Sequence, residues 1–188
     1  MKIGILGGTF NPIHIGHLIL ADETREKLGL RKIIFVPTYL PPHKGSSDIA
    51  PASERMKMIR HAIAGNKNFS VSDVEILREG RSYTIDTIRS LKKKYPRDEL
   101  YFIIGSDLLR YLREWKDLNE ITKMVRFIAA TRPGYPLKKL PKYIDKLSIR
   151  AVDISGYEIR ACVRLQRSFR YLVPDGVFRY ITEKGLYQ

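Results

Sequence analysis

The residues best suited to chemistry lie early in the chain. A short apolar run, Ile3-Gly4-Ile5-Leu6, leads into Gly7-Gly8-Thr9-Phe10-Asn11-Pro12-Ile13-His14-Ile15-Gly16-His17. Two glycines directly after a strand let the backbone pass close to a ligand. A helix starting near His14 would present N–H groups without partners inside the helix, and such an end favours an anion. His14 and His17 fall on one face of that helix, and Gly16 between them leaves room for something bulky. Two imidazoles beside a helix N-terminus suit the phosphates of a nucleotide. The stretch is neither the dinucleotide fingerprint G-x-G-x-x-G nor the P-loop G-x-x-x-x-G-K-[ST], which argues against hydride transfer and P-loop hydrolysis. The same two histidines also fit capping and packing. Zinc fits less well, because it needs a third ligand from His43, His61 or a carboxylate.

The elements that must position these residues read as strand, helix, strand, helix. Strands are expected over 2–6, 33–36, 100–104, 125–130 and 148–152, with one or two short extended pieces within 69–77. Helices are expected over 14–27 (stopped by Gly29), over 53–64 with Ser53 as its cap, and over 84–94, 107–115, 155–166 and 174–183. A proline- and serine-bearing loop spans 37–53. Buried strands alternating with helices predict an α/β fold, a Rossmann-like doubly wound parallel sheet flanked by helices. In such sheets ligands sit at the carboxyl ends of the strands. Gly7-Gly8-Thr9, Pro41-Pro42-His43-Lys44, Gly105-Ser106-Asp107, Arg132 and the 155–160 stretch all follow strands, so they can converge on one rim.

Composition bounds the reading further. The 188 residues form one expected domain, 1–188, with 44% hydrophobic and 10% aromatic residues, enough for a sizeable core. A disordered chain is excluded. One cysteine, Cys162, excludes an internal disulfide framework and a cysteine zinc finger. The N-terminal apolar run is too short for the core of a signal peptide, and no uninterrupted apolar run approaches membrane-spanning length, so a cytoplasmic protein without membrane contact is expected. Lys and Arg outnumber Asp and Glu by 34 to 20, a net charge of +14 shared evenly between the two halves. That excess suits anionic partners in general.

At this point the residues carry a resemblance. Gly-Gly-Thr-Phe-Asn-Pro-Ile-His-Ile-Gly-His-Leu resembles the signature of the nucleotidyltransferase superfamily marked by a His-x-Gly-His motif. Six further stretches resemble the bacterial nicotinate-nucleotide adenylyltransferases: Val36-Pro37 through Lys44, Ser82-Tyr83-Thr84-Ile85-Asp86-Thr87, Phe102-Ile103-Ile104-Gly105-Ser106-Asp107, Trp115, Arg132-Pro133-Gly134 and Tyr171-Leu172-Val173-Pro174. They follow the family order over nearly the whole chain.

The resemblance implies joining of ATP to nicotinate mononucleotide, giving deamido-NAD and pyrophosphate in NAD biosynthesis, with Mg2+ accompanying the triphosphate. It implies in-line attack without a covalent intermediate, so catalysis is positioning and charge stabilisation. His14, His17, Lys44 and Arg160 are the implied catalytic residues. Gly8, Thr9, Phe10, His14, His17, Gly105, Ser106, Asp107, Ser155 and Arg160 are the implied ATP site. Lys44, Tyr83, Thr84, Trp115 and Arg132 are the implied nicotinate mononucleotide site, with Trp115 stacking on the pyridine ring and the start of the helix at Thr84 meeting the carboxylate. No protein-held metal site is implied.

Two departures stand out. Ile154-Ser155-Gly156-Tyr157-Glu158-Ile159-Arg160 differs from the family's Ile-Ser-Ser-Thr-x-Ile-Arg, and Asn11 stands where Asp is frequent. Two other readings remain at this stage. One is a sister enzyme acting on nicotinamide mononucleotide or phosphopantetheine. The other is a nucleic-acid-binding module, which the charge suggests but no recognisable binding element supports. A homo-oligomer is compatible with all of these.

Overall fold

The computed structural model describes residues 1–40, 48–137 and 140–188. At its centre is β1 (Lys2–Gly8), whose inner residues are buried. It pairs in parallel with β2 (Lys32–Pro37) on one side and β4 (Glu99–Gly105) on the other. β3 (Phe69–Val71) extends the sheet beyond β2, and β5 (Arg126–Ala130) and β6 (Ile144–Leu147) extend it beyond β4. The order is β3-β2-β1-β4-β5-β6, all strands parallel.

Alternation along each strand divides the core in two. Leu6, Ile33, Phe35, Tyr101, Ile103 and Ile128 face one side, where they meet Ala21 of α1 (Ile15–Leu28), Met58 and Ile59 of α2 (Ala52–Ile63), Ile159 of α6 (Gly156–Arg164) and Val177 of α7 (Asp175–Lys184). Ile3, Ile5, Ile34, Val36, Phe102, Ile104 and Phe127 face the other. There they meet Ile85, Ile88 and Leu91 of α4 (Thr84–Lys94), Leu112 of a 3-10 helix (Ser106–Glu114) and Ile121 of α5 (Leu118–Met124). A strand whose every residue is apolar needs cover on both faces, and helices supply it. The Rossmann-like doubly wound sheet expected from the sequence is the observed fold.

Several local expectations are corrected. Of the one or two extended pieces expected within 69–77, β3 is one, and the residues that follow form a short helix, α3 (Val74–Arg78). Pro51, not Ser53, precedes the first turn of α2. The sixth strand is Ile144–Leu147, not 148–152. The reason is that the later segment gives its backbone bonds to side chains. Ile149 N–H donates to Thr131 Oγ1 at 3.0 Å, and Arg150 N–H donates to Glu23 Oε2 at 3.2 Å. A further helix, α5 (Leu118–Met124), lies between the 3-10 helix and β5. No helix among the described residues is long and apolar enough to cross a membrane.

Candidate active site

Strand order reverses between β1 and β4, so the crevice beyond their carboxyl ends is where this architecture accepts a ligand. Gly7-Gly8 closes β1 and Gly105 closes β4. The turn after β1 is tightly fixed. Thr38 N–H donates to the Gly8 carbonyl at 3.0 Å. Phe10 sits at φ 49°, a left-handed conformation uncommon for a bulky residue, with its ring buried and edge-on to His17 at 5.0 Å.

His14 caps α1 in extended conformation, and the His14 and His17 rings lie 3.7 Å apart, tilted by 34°. His14 N–H donates to His17 Nδ1 at 3.2 Å, which places the His17 ring proton on Nε2 in this arrangement. His14 is buried, and its Nδ1 has no hydrogen-bond partner among the described residues. Burial, and then the nearby Arg132 guanidinium, hold its pKa down at about 3. It is therefore neutral at physiological pH.

Two details of the expected anion end change. Gly16 makes room for His14 itself, since a Cβ there would lie 3.1 Å from His14 Nδ1 and 3.4 Å from Val152 Cγ2. The first N–H of α1, from Ile15, is taken by the Leu172 carbonyl at 3.0 Å. The Tyr171-Leu172-Val173-Pro174 stretch thus straps the start of α1.

Arg160 reaches the same turn from α6. Its guanidinium donates to the Asn11 carbonyl at 2.8 Å and to Asp48 Oδ2 at 2.8 and 3.1 Å. Arg164 holds the other Asp48 oxygen at 2.8 Å. These two arginines, Arg160 foremost, keep the Asp48 carboxyl below its usual range. Asp48 was not singled out in the sequence, where an acidic residue in a loop carries no signal. Asn11 ties the region together: its Nδ2 donates to the Asp48 carbonyl at 2.8 Å, and its Oδ1 accepts from Ala50 N–H at 3.0 Å and Tyr187 O–H at 2.9 Å. An aspartate could not make the first of these bonds, which accounts for the amide at this position. Ser155 caps α6 by accepting from Glu158 N–H at 3.2 Å, while Glu158 accepts from Ser155 N–H at 3.0 Å. Lys44 lies outside the described residues.

Asp107 and Arg132 were expected at opposite ends of the site, but they form an ion pair at 2.8 Å. The Ser106 hydroxyl is committed to the adjoining turn, donating to the Tyr135 carbonyl at 2.6 Å and accepting from Arg132 N–H at 3.0 Å. Tyr83 caps α4 with Thr84 as its first residue, both half-buried. Leu40 bridges to Arg81 beside them, so the end of the 37–40 segment adjoins the start of α4. Trp115 is half-buried, its ring perpendicular to that of Phe102 at 5.7 Å and tilted against that of Phe127 at 6.1 Å. The Lys116 ammonium lies 4.9 Å from the centre of the Tyr83 ring.

The geometry agrees with what the chain is similar to. Residues 5–162 match the cytidylyltransferase-like family. The chain is 44% identical to a probable nicotinate-nucleotide adenylyltransferase of Geobacillus thermodenitrificans, over 99% of this chain and 86% of the relative. It is 41% identical to the nicotinate-nucleotide adenylyltransferase of Bacillus subtilis, over 100% of this chain and 98% of the relative. Its fold superposes with a TM-score of 0.82 on the Plasmodium falciparum nicotinic acid mononucleotide adenylyltransferase complexed with NaAD, at 21% identity, covering 99% of this chain and 97% of that one. A parallel sheet that reverses its order beside a paired-histidine turn, matched end to end at this level of identity, makes the chain a member of the cytidylyltransferase-like family, among its nicotinate-nucleotide adenylyltransferases.

Proposed function

We propose that this protein transfers the adenylyl group of ATP to nicotinate mononucleotide, releasing pyrophosphate and forming deamido-NAD. The observation that carries the reading is the stacked His14–His17 pair at the point where strand order reverses. It supplies nitrogen donors where a triphosphate meets the sheet rim. In the reaction a phosphate oxygen of the mononucleotide forms a bond to the α-phosphorus as the bond to the pyrophosphate oxygen breaks. The protein's part is to hold both anions in line and to stabilise charge on the equatorial oxygens. His14 and His17 donate hydrogen bonds there, and Lys44 adds a point charge. Arg160 would exchange Asp48 for phosphate.

The backbone of Gly8, Thr9 and Phe10 and the start of α6 at Ser155 flank the phosphates in this reading. Gly105, Ser106 and Asp107 flank the adenosine. The start of α4 at Tyr83 and Thr84, with Trp115 and Arg132, receives the mononucleotide. The Asp107–Arg132 pair makes these two ends contiguous. No group of three His, Cys, Asp or Glu side chains suited to a metal occurs among the described residues, and in this reading Mg2+ enters as the MgATP substrate complex. We take 1–188 as one catalytic domain working in the cytoplasm.

The test is pyrophosphate release with MgATP and a panel of acceptors. Turnover on nicotinate mononucleotide should exceed that on the amide by at least about ten-fold, a gap of about 1.4 kcal/mol. Equal rates would reassign the acceptor, and turnover on phosphopantetheine alone would make this a sister enzyme. Salt-steep nucleic-acid retention without adenylyl transfer would sink the enzymatic reading.

A further inference from the structure

Arg55 on α2 belongs to none of the family-like stretches, yet it is among the largest fully buried side chains, at 1% exposure. Burying a guanidinium is costly unless its N–H groups find acceptors. Here they find three backbone carbonyls. Nε donates to Ala50 at 2.9 Å, one terminal nitrogen to Thr9 at 2.8 Å and the other to Tyr39 at 3.1 Å. The three acceptors belong to separate pieces of chain: the turn after β1, and the two flanks of the segment that carries Lys44. The same helix buries Met56, Met58 and Ile59, so apolar side chains already supply the packing of this helix, and the guanidinium at position 55 serves the three carbonyls instead.

We propose that Arg55 is a positioning residue for adenylyl transfer, its three-pronged bond fixing the Thr9–Phe10 peptide against the flanks of the Lys44 segment. The proposal rests on the function given above. Thr9 accepts from a cation, which polarises the peptide unit whose N–H belongs to Phe10. Phe10 needs such fixing, because its backbone is left-handed at φ 49°. Its ring in turn abuts His17, so the bond to Thr9 also sets an imidazole of the phosphate end. The guanidinium spreads its donors over three nitrogens, Nε and the two terminal ones, whereas a lysine carries all of its donors on a single nitrogen and cannot stand at all three positions at once.

The test compares Arg55→Met and Arg55→Lys in the full chain with Met58→Ala, a reference for lost packing on the same helix. Thermal midpoint, kcat and KM for ATP are measured for each. Arg55→Met should fold, lower kcat by about ten-fold or more and raise KM for ATP, with Arg55→Lys recovering only part of the loss. Met58→Ala should lower the midpoint and leave KM for ATP within about two-fold. The proposal is overturned if the Arg55 variants lose stability alone, with kcat per folded molecule and KM for ATP near wild type. If Arg55→Met does not fold, Arg55→Lys decides by the same criterion. If the wild-type chain does not turn over these substrates, the functional reading fails instead. Calorimetric ATP binding then decides for Arg55: weakening of about ten-fold or more supports the proposal, and unchanged binding overturns it.

Discussion

His14 and His17 share a motif but stand in different surroundings. Burial and Arg132 hold His14 neutral, whereas an unfolded chain would protonate it near 6.5. Between pH 6.5 and about 3 the unfolded state binds a proton that the folded state refuses. Stability contributed by the neutral ring is thus complete above 6.5 and falls as the pH drops, by up to about 1.4 kcal/mol per unit. His14→Gln removes this dependence. Urea melts from pH 7 to about 4 should give a shallower loss for the variant than for wild type; parallel curves would mean that His14 takes up its proton as readily as in the unfolded chain. The spacing of the two histidines, and so their shared face, was legible in the sequence. The neutrality of His14 was not, because it comes from burial in the folded chain and then from Arg132, which lies far from it in the sequence.

At the scale of elements, the start of α6 shows how a helix is aimed. Ser155 and Glu158 form a reciprocal cap, a local pattern carried by two side chains three residues apart. Where that cap docks is decided by Gly156. A Cβ there would lie 2.7 Å from the Asn11 carbonyl oxygen, the same oxygen that Arg160 grips at 2.8 Å. The departure from the family's serine is therefore a close approach between α6 and the turn after β1. Gly156→Ala should force the two apart, at a cost of about 1–3 kcal/mol in chemical denaturation, and should raise KM for ATP. An unchanged KM would separate this contact from nucleotide binding. Elements with local signals, such as α1 with its Gly29 stop and α4, were legible. β6 was not, because only its two end residues are buried and its middle is Asp145-Lys146. α5 was missed because a seven-residue helix spans too few turns to show periodicity.

For the whole molecule, the charge of +14 and the two anionic substrates of the proposed reaction make association sensitive to ionic strength. Raising KCl from about 50 to about 500 mM should lower kcat/KM for MgATP several-fold while the folded signal stays constant. A flat response would show that the excess charge lies away from the crevice. The sequence by itself determined the parallel α/β sheet, the helices on both faces and the paired-histidine turn, because these depend on patterns a few residues long: apolar runs, caps and glycine stops. Only the tertiary structure decided that Asp107 pairs with Arg132, that Asp48 occupies Arg160, and that Arg55 ties the turn after β1 to Tyr39 and Ala50. All but the Arg55–Ala50 bond join residues well separated in the chain, and the distance between such residues is set by how the fold brings its elements together, which no local pattern encodes.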